Sequence, residues 1–431
     1  MTTVDLKQAY RKDLTENFPD ELTVTLGTTS LIYRKRLFNL PDAEGKLVQS
    51  GLRYGENPDQ PAALYRLVNG NLVIAGVEYV GPDKPLVSSL GETDDSLYGC
   101  RKHPSKTNLT DVDSALAILR HLSAEPAAVI VKHNNPSGAA ADATLAGAFH
   151  KAFEADRVAA FGGALVVNRP LDLAAAKAMS DRYMEVVAAP DYEEGVVGLL
   201  AKRPDLRIFR IPNIHKLSER RHEPFLDIKS LIDGGLVLQQ SALNKILSPG
   251  DFKPAQAEEK GEKIVSARQP DERETQDLLF GWAVEQGVIS NSVLFVKNKV
   301  TAAIGCGQQD RVGVVAIAAY KARRNYAEHL SFFHHGLSFS ELEHAVAAGS
   351  VPKQAVTELL RQVEETCGGL KGSVMVSDAF FPFRDAVDEA IKQGVVAIAH
   401  PGGSLRDFES LKAANESDVA MVFTGQRAFK H

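Results

Sequence analysis

Cysteine is scarce: the 431 residues hold three, Cys100, Cys306 and Cys367. They lie far apart and form no CxxC pair. That argues against a disulfide framework and against a structural zinc site, and it fits a reducing, cytoplasmic compartment. No HxE pair is present either. No apolar run approaches the ~18 residues that a membrane span needs. The opening MTTVDLKQAYRKDL is charged and has no apolar core, so no signal peptide is read from it. An excess of basic charge is also lacking. The formal net charge is −6, which excludes a non-specific nucleic-acid binder. It does not exclude a small anionic ligand, because a local cluster of Arg and Lys can oppose the overall sign.

What is present is ordinary globular material, 44% hydrophobic and 24% charged, in a chain long enough for two or more domains. Residues 1–50 read as a lead-in in which TVTLGTTSLIYRKRLF forms a strand pair. Residues 51–225 alternate short apolar runs with helical stretches. Ala127–Val131 and Ala164–Val167 read as buried strands, and Leu171–Met184, started by Pro170, and Asp191–Lys202 read as helices. Residues 226–264, with SPGDFKPAQAEEKGEK, read as an exposed linker. Residues 265–431 repeat the alternation: a strand at Ser292–Val296 with a hairpin return at Val300–Gly305, a helix at Arg311–Tyr326, and apolar runs at Gly372–Val376, Val395–Ala399 and Val419–Phe423. This spacing predicts an α/β protein of two similar domains with mixed, mostly parallel sheets.

Ligands of open α/β sheets collect beyond the carboxyl ends of the strands, so the polar residues after each apolar run carry the candidate chemistry. After Val131 come Lys132 and His133, a cation beside an imidazole that can take a proton near neutral pH. The same pair equally suits a solvated turn with a capping Asn. Arg53 and Tyr54, before Asn57-Pro58, offer a phosphate ligand and a stacking ring, or simply a turn. Phe380, Phe381 and Phe383 around Pro382 can wall a slot for a flat ring with Asp385 at its edge. Alternatively they staple the start of a helix. Asn291 precedes one strand. Arg311 follows Gly305-Cys306-Gly307, where a helix start can hold an anion. The chain ends in Arg427-Ala428-Phe429-Lys430-His431 directly after a strand, tied into a site or frayed.

Together and in this order these segments resemble one family. LRYGENP, VKHNNPSGAA, AFGGALVVNRPLD, APDYEE, ISNSVLFVKN, GCGQQDR, SDAFFPFRDAVDEA and the ending RAFKH are similar to the transformylase half of the bifunctional purine enzyme that also carries IMP cyclohydrolase. The resemblance runs from about residue 50 to the end. It implies a pair of cytidine-deaminase-like domains without catalytic zinc, and formyl transfer from 10-formyltetrahydrofolate to aminoimidazole carboxamide ribonucleotide (AICAR) in purine biosynthesis. It implies His133 as the base, Lys132 as the oxyanion stabiliser and Asn291 at the reacting carboxamide. Arg53, Tyr54, Gly162, Glu185, Arg311, Phe380, Arg427 and His431 would receive the nucleotide. Val312, Asp385, Ser404 and Leu405 would contact the folate. Some members hold potassium near the residues matching Ser290, Ser292 and Asp378. The family site is shared across a homodimer. Three features depart from the pattern. The cyclohydrolase half does not precede the resemblance, so ring closure to IMP is not expected. Asp59 and Lys430 each replace a His. Residues 326–355, with Phe332-Phe333-His334-His335, are unlike the family's text. A binding module of the same fold without catalysis is the alternative, and the intact Lys-His pair argues against it.

Overall fold

A computed structural model describes residues 17–41, 46–70, 72–74, 77–80, 97–98 and 102–431. Cys100 and the N-terminal stretch read for targeting lie outside the described residues. In chain order the principal strands are β1 (Glu21–Leu26), β2 (Thr29–Lys35), β3 (Tyr65–Asn69), β4 (Ala127–Lys132), β5 (Asn135–Ala141), β6 (Ala164–Val167), β7 (Val186–Ala189), β8 (Arg207–Arg210), β9 (Val293–Lys297), β10 (Val300–Gly305), β11 (Val374–Ser377), β12 (Ala397–His400) and β13 (Ala420–Phe423). The helices are α1 (Lys106–Leu119), α2 (Leu145–Ala155), α3 (Arg157–Ala160), α4 (Leu173–Met179), α5 (Val196–Leu200), α6 (Glu272–Glu285), α7 (Arg311–His335), α8 (Phe339–Ala347), α9 (Gln354–Glu365), α10 (Asp385–Lys392) and α11 (Asp407–Glu416).

The chain divides into two compact units, one from segments within Met1–Leu116 and Gly162–Leu243, the other from Ala117–Phe161 and Asn244–His431. These units do not follow the consecutive blocks 51–225 and 265–431. Residues 117–161 group with the C-terminal part because β5 pairs antiparallel with β10, Ala140 opposite Val300. The boundary after Leu243 falls inside the stretch read as a linker. That stretch is not irregular: Leu226–Ser230 pairs with Leu236–Gln240, and Gln256–Glu259 with Glu262–Val265.

In the first unit β6, β7 and β8 run parallel, with Leu97–Tyr98 antiparallel beside β8. The expected strand pair near the N-terminus is β1 and β2, which β3 extends. In the second unit β11, β12 and β13 run parallel, with Lys253–Pro254 antiparallel at the β13 edge. β9 then joins β11 antiparallel, followed by β10, β5 and β4, each antiparallel to its neighbour. The sheets are therefore mixed, and the expectation of mostly parallel strands does not describe the second unit. The reason lies in two tight hairpins. Between Lys132 and Asn135 only His133 and Asn134 turn the chain, with φ of 54° and 61°. Between Lys297 and Val300 the turn is Asn298 and Lys299, with φ of 55° and 56°. Two successive left-handed residues are the type I′ geometry that matches strand twist.

Burial follows from the apolar runs. β9, β11, β12 and β13 are near-continuous hydrophobic strands, and Phe295, Met375, Ile398 and Met421 pack with Val314 and Ala318 of α7, Leu411 of α11 and Phe381. Each such large side chain contributes roughly 1.5–3 kcal/mol when fully buried. α7 begins where the Asp310 carboxylate accepts from Gly313 N and stops at Gly336, φ 68°. It runs on past the expected Tyr326. Its second half makes a satellite core with α8 and α9 through Ala327, Leu330, Leu342, Leu359 and Val363. The divergent residues 326–355 thus belong to a small helical cluster. Among the described residues no helix is long and apolar enough to cross a membrane.

Candidate active site

Lys132 closes β4 and is half-buried, and its Nζ donates to Phe161 O at 2.7 Å. His133 is exposed at the tip of the turn, in a left-handed conformation that non-glycine residues seldom adopt. Asn135, on the far side of the turn, accepts Ile289 N through Oδ1 at 3.0 Å. That bond ties the Lys-His turn to the loop carrying Ser290, Asn291 and Ser292.

The loop is itself tied to the C-terminus. Ser290 N donates to Lys430 O at 3.0 Å, Lys430 N donates to Ser290 Oγ at 3.2 Å, and Ala428 N donates to Asp378 O at 2.9 Å. The tail is therefore fixed rather than frayed. Lys430, one of the departures from the family pattern, also donates through Nζ to Gly287 O at 3.1 Å.

Arg311, the first residue of α7, anchors the centre. Its Nη1 pairs with Asp378 Oδ1 and donates to Ser292 O and Ser377 Oγ, both at 3.1 Å. Its Nη2 donates to Asn291 Oδ1 at 2.8 Å. Asp378 is fully buried and also accepts Ser292 N at 3.1 Å. Behind it Glu285, the last residue of α6, is fully buried and accepts Ser292 Oγ at 2.7 Å, while its Oε2 has no hydrogen-bond partner among the described residues. Burial, then the neighbouring Asp378 carboxylate, push the Glu285 carboxyl well above its ordinary range. Sequence reasoning missed Glu285, which reads as a solvated helix end before Gln286-Gly287.

A cleft of about 470 Å³ opens over this network, lined by Asn291, Arg311, Val312, Phe380, Pro382, Phe383, Asp385, Arg427 and Phe429. Apart from Asn291, which precedes β9, these residues lie beyond the carboxyl ends of β10, β11 and β13. Of the three aromatics, Phe381 is core, Phe383 is exposed and Phe380 is half-buried. Asp385 sits in the first turn of α10 and lines the cleft as well. Arg427 is exposed, lies 5.0 Å from the Phe429 ring centre and makes no ion pair among the described residues. His431 stands 5.8 Å from the same ring. Ser404 and Leu405 do not line this cleft; they border another, with Lys253, Gln256 and Asp407.

The remaining candidates belong to the first unit. Arg53 is buried, its guanidinium 5.4 Å from the Tyr54 ring centre, and Tyr54 O accepts Lys106 N at 2.9 Å where α1 starts. Glu185 accepts Asn108 Nδ2 at 3.2 Å and lies 3.6 Å from Arg207 Nη1. Gly162, φ 75°, donates to Tyr183 O at 2.9 Å. Gly162 and Glu185 precede β6 and β7, so they stand at amino ends of strands, where the carboxyl-end rule does not look. Among the described residues no group of three or more His, Cys, Asp or Glu side chains is placed to hold a metal ion.

These features define an α/β protein with a polar, aromatic-walled cleft at the carboxyl ends of its strands. A family model described as AICARFT/IMPCHase bienzyme matches residues 32–321, and the chain belongs to that family. The match begins within the segment read as a lead-in. The chain is 37% identical over 382 residues to the bifunctional purine biosynthesis protein PurH of Magnetococcus marinus, covering 88% of this chain and 59% of that protein. It is 36% identical, with the same coverage, to PurH of Chlorobaculum parvum. It is 32% identical over 416 residues to PurH of Caldicellulosiruptor saccharolyticus, covering 96% of this chain and 62% of that protein. The chain thus spans about three-fifths of the length of these relatives.

Proposed function

We propose that the chain is a cytoplasmic phosphoribosylaminoimidazolecarboxamide formyltransferase that moves the formyl group of 10-formyltetrahydrofolate to the 5-amino group of AICAR in purine biosynthesis. The observation that carries this reading, beside family membership, is the Lys132-His133 turn fastened through Asn135 to the Asn291 loop. The amino nitrogen attacks the formyl carbon, and the carbonyl oxygen becomes an oxyanion stabilised by the Lys132 ammonium. His133 takes the proton released by the amine. Collapse of the intermediate breaks the bond from the formyl carbon to N10, which receives a proton as tetrahydrofolate leaves. Arg53, Tyr54, Gly162, Glu185, Phe380, Arg427 and His431 receive the nucleotide, and Arg427, exposed and without an ion pair among the described residues, suits its phosphate. Val312 and Asp385 contact the folate, with Ser404 and Leu405 further along it. The sites are shared across a homodimer. Ser292 joins Asp378 through its N and Glu285 through its Oγ, and with Ser290 these residues offer hard oxygen ligands of the kind that suits potassium.

The test is an assay of the purified chain with AICAR and 10-formyltetrahydrofolate, in potassium and in sodium buffer. Formylated nucleotide should accumulate together with tetrahydrofolate, faster in potassium. His133→Ala and Lys132→Ala should each slow turnover by about 10²–10⁴-fold. A variant that keeps the parental rate removes that residue's role. Binding of both ligands without transfer would make the chain a binding module, and IMP in the product would show that it also closes the ring.

A further inference from the structure

Lys132 is held from outside its own turn, by the 2.7 Å bond from its Nζ to Phe161 O. An ammonium carries three donors, so the carbonyl takes one and leaves the others for a ligand. Phe161 directly follows α3, a single turn of helix. That turn starts at Asp156, whose Oδ1 accepts Ala159 N and whose O accepts Ala160 N, both at 2.9 Å. The position of the corner between α2 and α3 therefore decides where the Phe161 carbonyl stands, and with it the ammonium.

One face of α7 grips that corner. Lys321, Asn325, His329 and Phe332 follow one another at the spacing of successive helical turns. Lys321 Nζ lies 3.5 Å from Asp156 Oδ2, and Asn325 Nδ2 donates to Ala155 O at 3.1 Å. His329 Nδ1 donates to Glu154 Oε2 at 2.9 Å. The Phe332 ring centre is 3.8 Å from the Arg157 guanidinium carbon, which is also 5.3 Å from the Phe153 ring centre. Arg157 pairs with Glu154 as well, and the two side chains are only 9% and 11% exposed. A pair so nearly out of water is costly to break from one side. All of these residues belong to the second unit. His329 and Phe332 fall in the segment 326–355 that departs from the family's pattern, so this half of the grip is not carried over with the resemblance.

We propose that Arg157 and His329 are positioning residues for Lys132: with Glu154 they clamp the α2–α3 corner onto α7, so that the Phe161 carbonyl holds the Lys132 ammonium in place for the reacting oxygen. The inference rests on the formyl-transfer reading for what the ammonium does, and not for what holds it.

The experiment reads turnover and the chemical reactivity of Lys132 together. Arg157→Lys keeps a cation beside Glu154 but loses the flat guanidinium that lies on Phe332. His329→Leu removes the donor to Glu154 and leaves the Arg157 pair in place, while His329→Gln restores a donor. Arg157→Lys and His329→Leu should each lower kcat by about tenfold. KM and nucleotide Kd should stay within about threefold of the parent, and His329→Gln should recover most of the rate. Placed on Lys132→Ala, the same changes should cost nothing further, because the clamp acts through a lysine that is gone. Labelling of Lys132 by trinitrobenzenesulfonate, measured by peptide mass spectrometry against Lys392 of α10 in the same sample, should run at least about threefold faster in Arg157→Lys and His329→Leu. Equal losses of rate with and without Lys132 would make the clamp a matter of general stability and overturn the proposal. So would parental turnover in both variants, or Lys132 labelling that does not change. A parental chain that transfers no formyl group would remove the enzymatic reading instead, and the labelling comparison would still decide whether the clamp holds Lys132.

Discussion

At the scale of single residues, the least obvious features are two buried titratable groups with opposite demands. His400 ends β12 with no exposure, its ring 5.1 Å from Phe381 and 4.8 Å from Phe423, and its Nδ1 accepts Gly402 N at 3.1 Å. Burial, then the charge of Arg311, lower its pKa to about 3. In the unfolded chain the imidazole titrates at about 6.5. Between these values the unfolded state takes up a proton that the native state refuses, so this contribution to stability is present above pH ~6.5 and is lost as pH falls toward 3, by up to about 1.4 kcal/mol per unit. Glu285 runs the other way. Its carboxyl is raised, so its contribution is intact in acid and declines as pH rises above the ordinary carboxyl range. We expect His400→Asn, which keeps an acceptor for Gly402 N, to flatten the fall in melting temperature between pH 6.5 and 4.5. An unchanged slope in a calorimetric pH series would show that other groups govern acid unfolding. The sequence shows His400 only as a polar residue after an apolar run; its partners come from Phe381 and Phe423, each about twenty positions away, so no local pattern could mark it.

At the scale of elements, the apolar runs were legible and the pairing was not. β9, β10, β11, β12 and β13 fall within two residues of the predicted strands, because four or five consecutive Val, Ile, Ala or Phe in a buried sheet leave little alternative. Helices α4 (Leu173–Met179) and α5 (Val196–Leu200) are shorter than the segments read as helical, Leu171–Met184 and Asp191–Lys202. Weak periodicity at their ends carries no stop signal. β5 was unreadable: Asn135-Pro136-Ser137-Gly138 is turn chemistry, yet the chain extends there, with a shift of register between Pro136 and Gly138 that accommodates the missing N–H. The two hairpin turns were hidden for a related reason, since His-Asn and Asn-Lys are not the glycine-containing pairs that advertise a type I′ turn. Of the site, the strand-end candidates in the second unit were legible because the sheet rule places them. The Glu285–Ser292–Asp378–Arg311 chain was not, because it joins residues from three separate segments. Gly138 gives the element-scale prediction. A Cβ there would lie 2.0 Å from Ala152 O in α2, and helix backbone cannot step aside as a side chain can. Gly138→Ala should lower stability by about 3 kcal/mol. Urea unfolding would register it as a lower midpoint at unchanged slope, and an unchanged midpoint would mean that α2 sits looser on β5 than described.

At the scale of the whole molecule, α7 exposes an apolar stripe that the proposed homodimer would cover. Val312, Ala316, Ile317 and Tyr320 are exposed on one face, at the spacing of successive helical turns, with Tyr320 at 68%. A partner's surface would suit these side chains better than water does. Its first residue, Val312, also lines the cleft directly after Arg311. A partner covering the stripe would therefore reach the rim of the site, which is the arrangement proposed for a homodimer with shared sites. We expect the chain to run as a dimer at micromolar concentration by light scattering. The pair Ile317→Asp and Tyr320→Asp, which places charge on the stripe without touching the core side of α7, should give monomers with retained helical circular dichroism and formyl transfer reduced at least tenfold. Dilution of the parental protein should lower its specific activity along the same curve as its mass. If the doubly substituted chain stays dimeric and fully active, the stripe is not the interface. If the parental chain is monomeric and active, the site is complete within one copy.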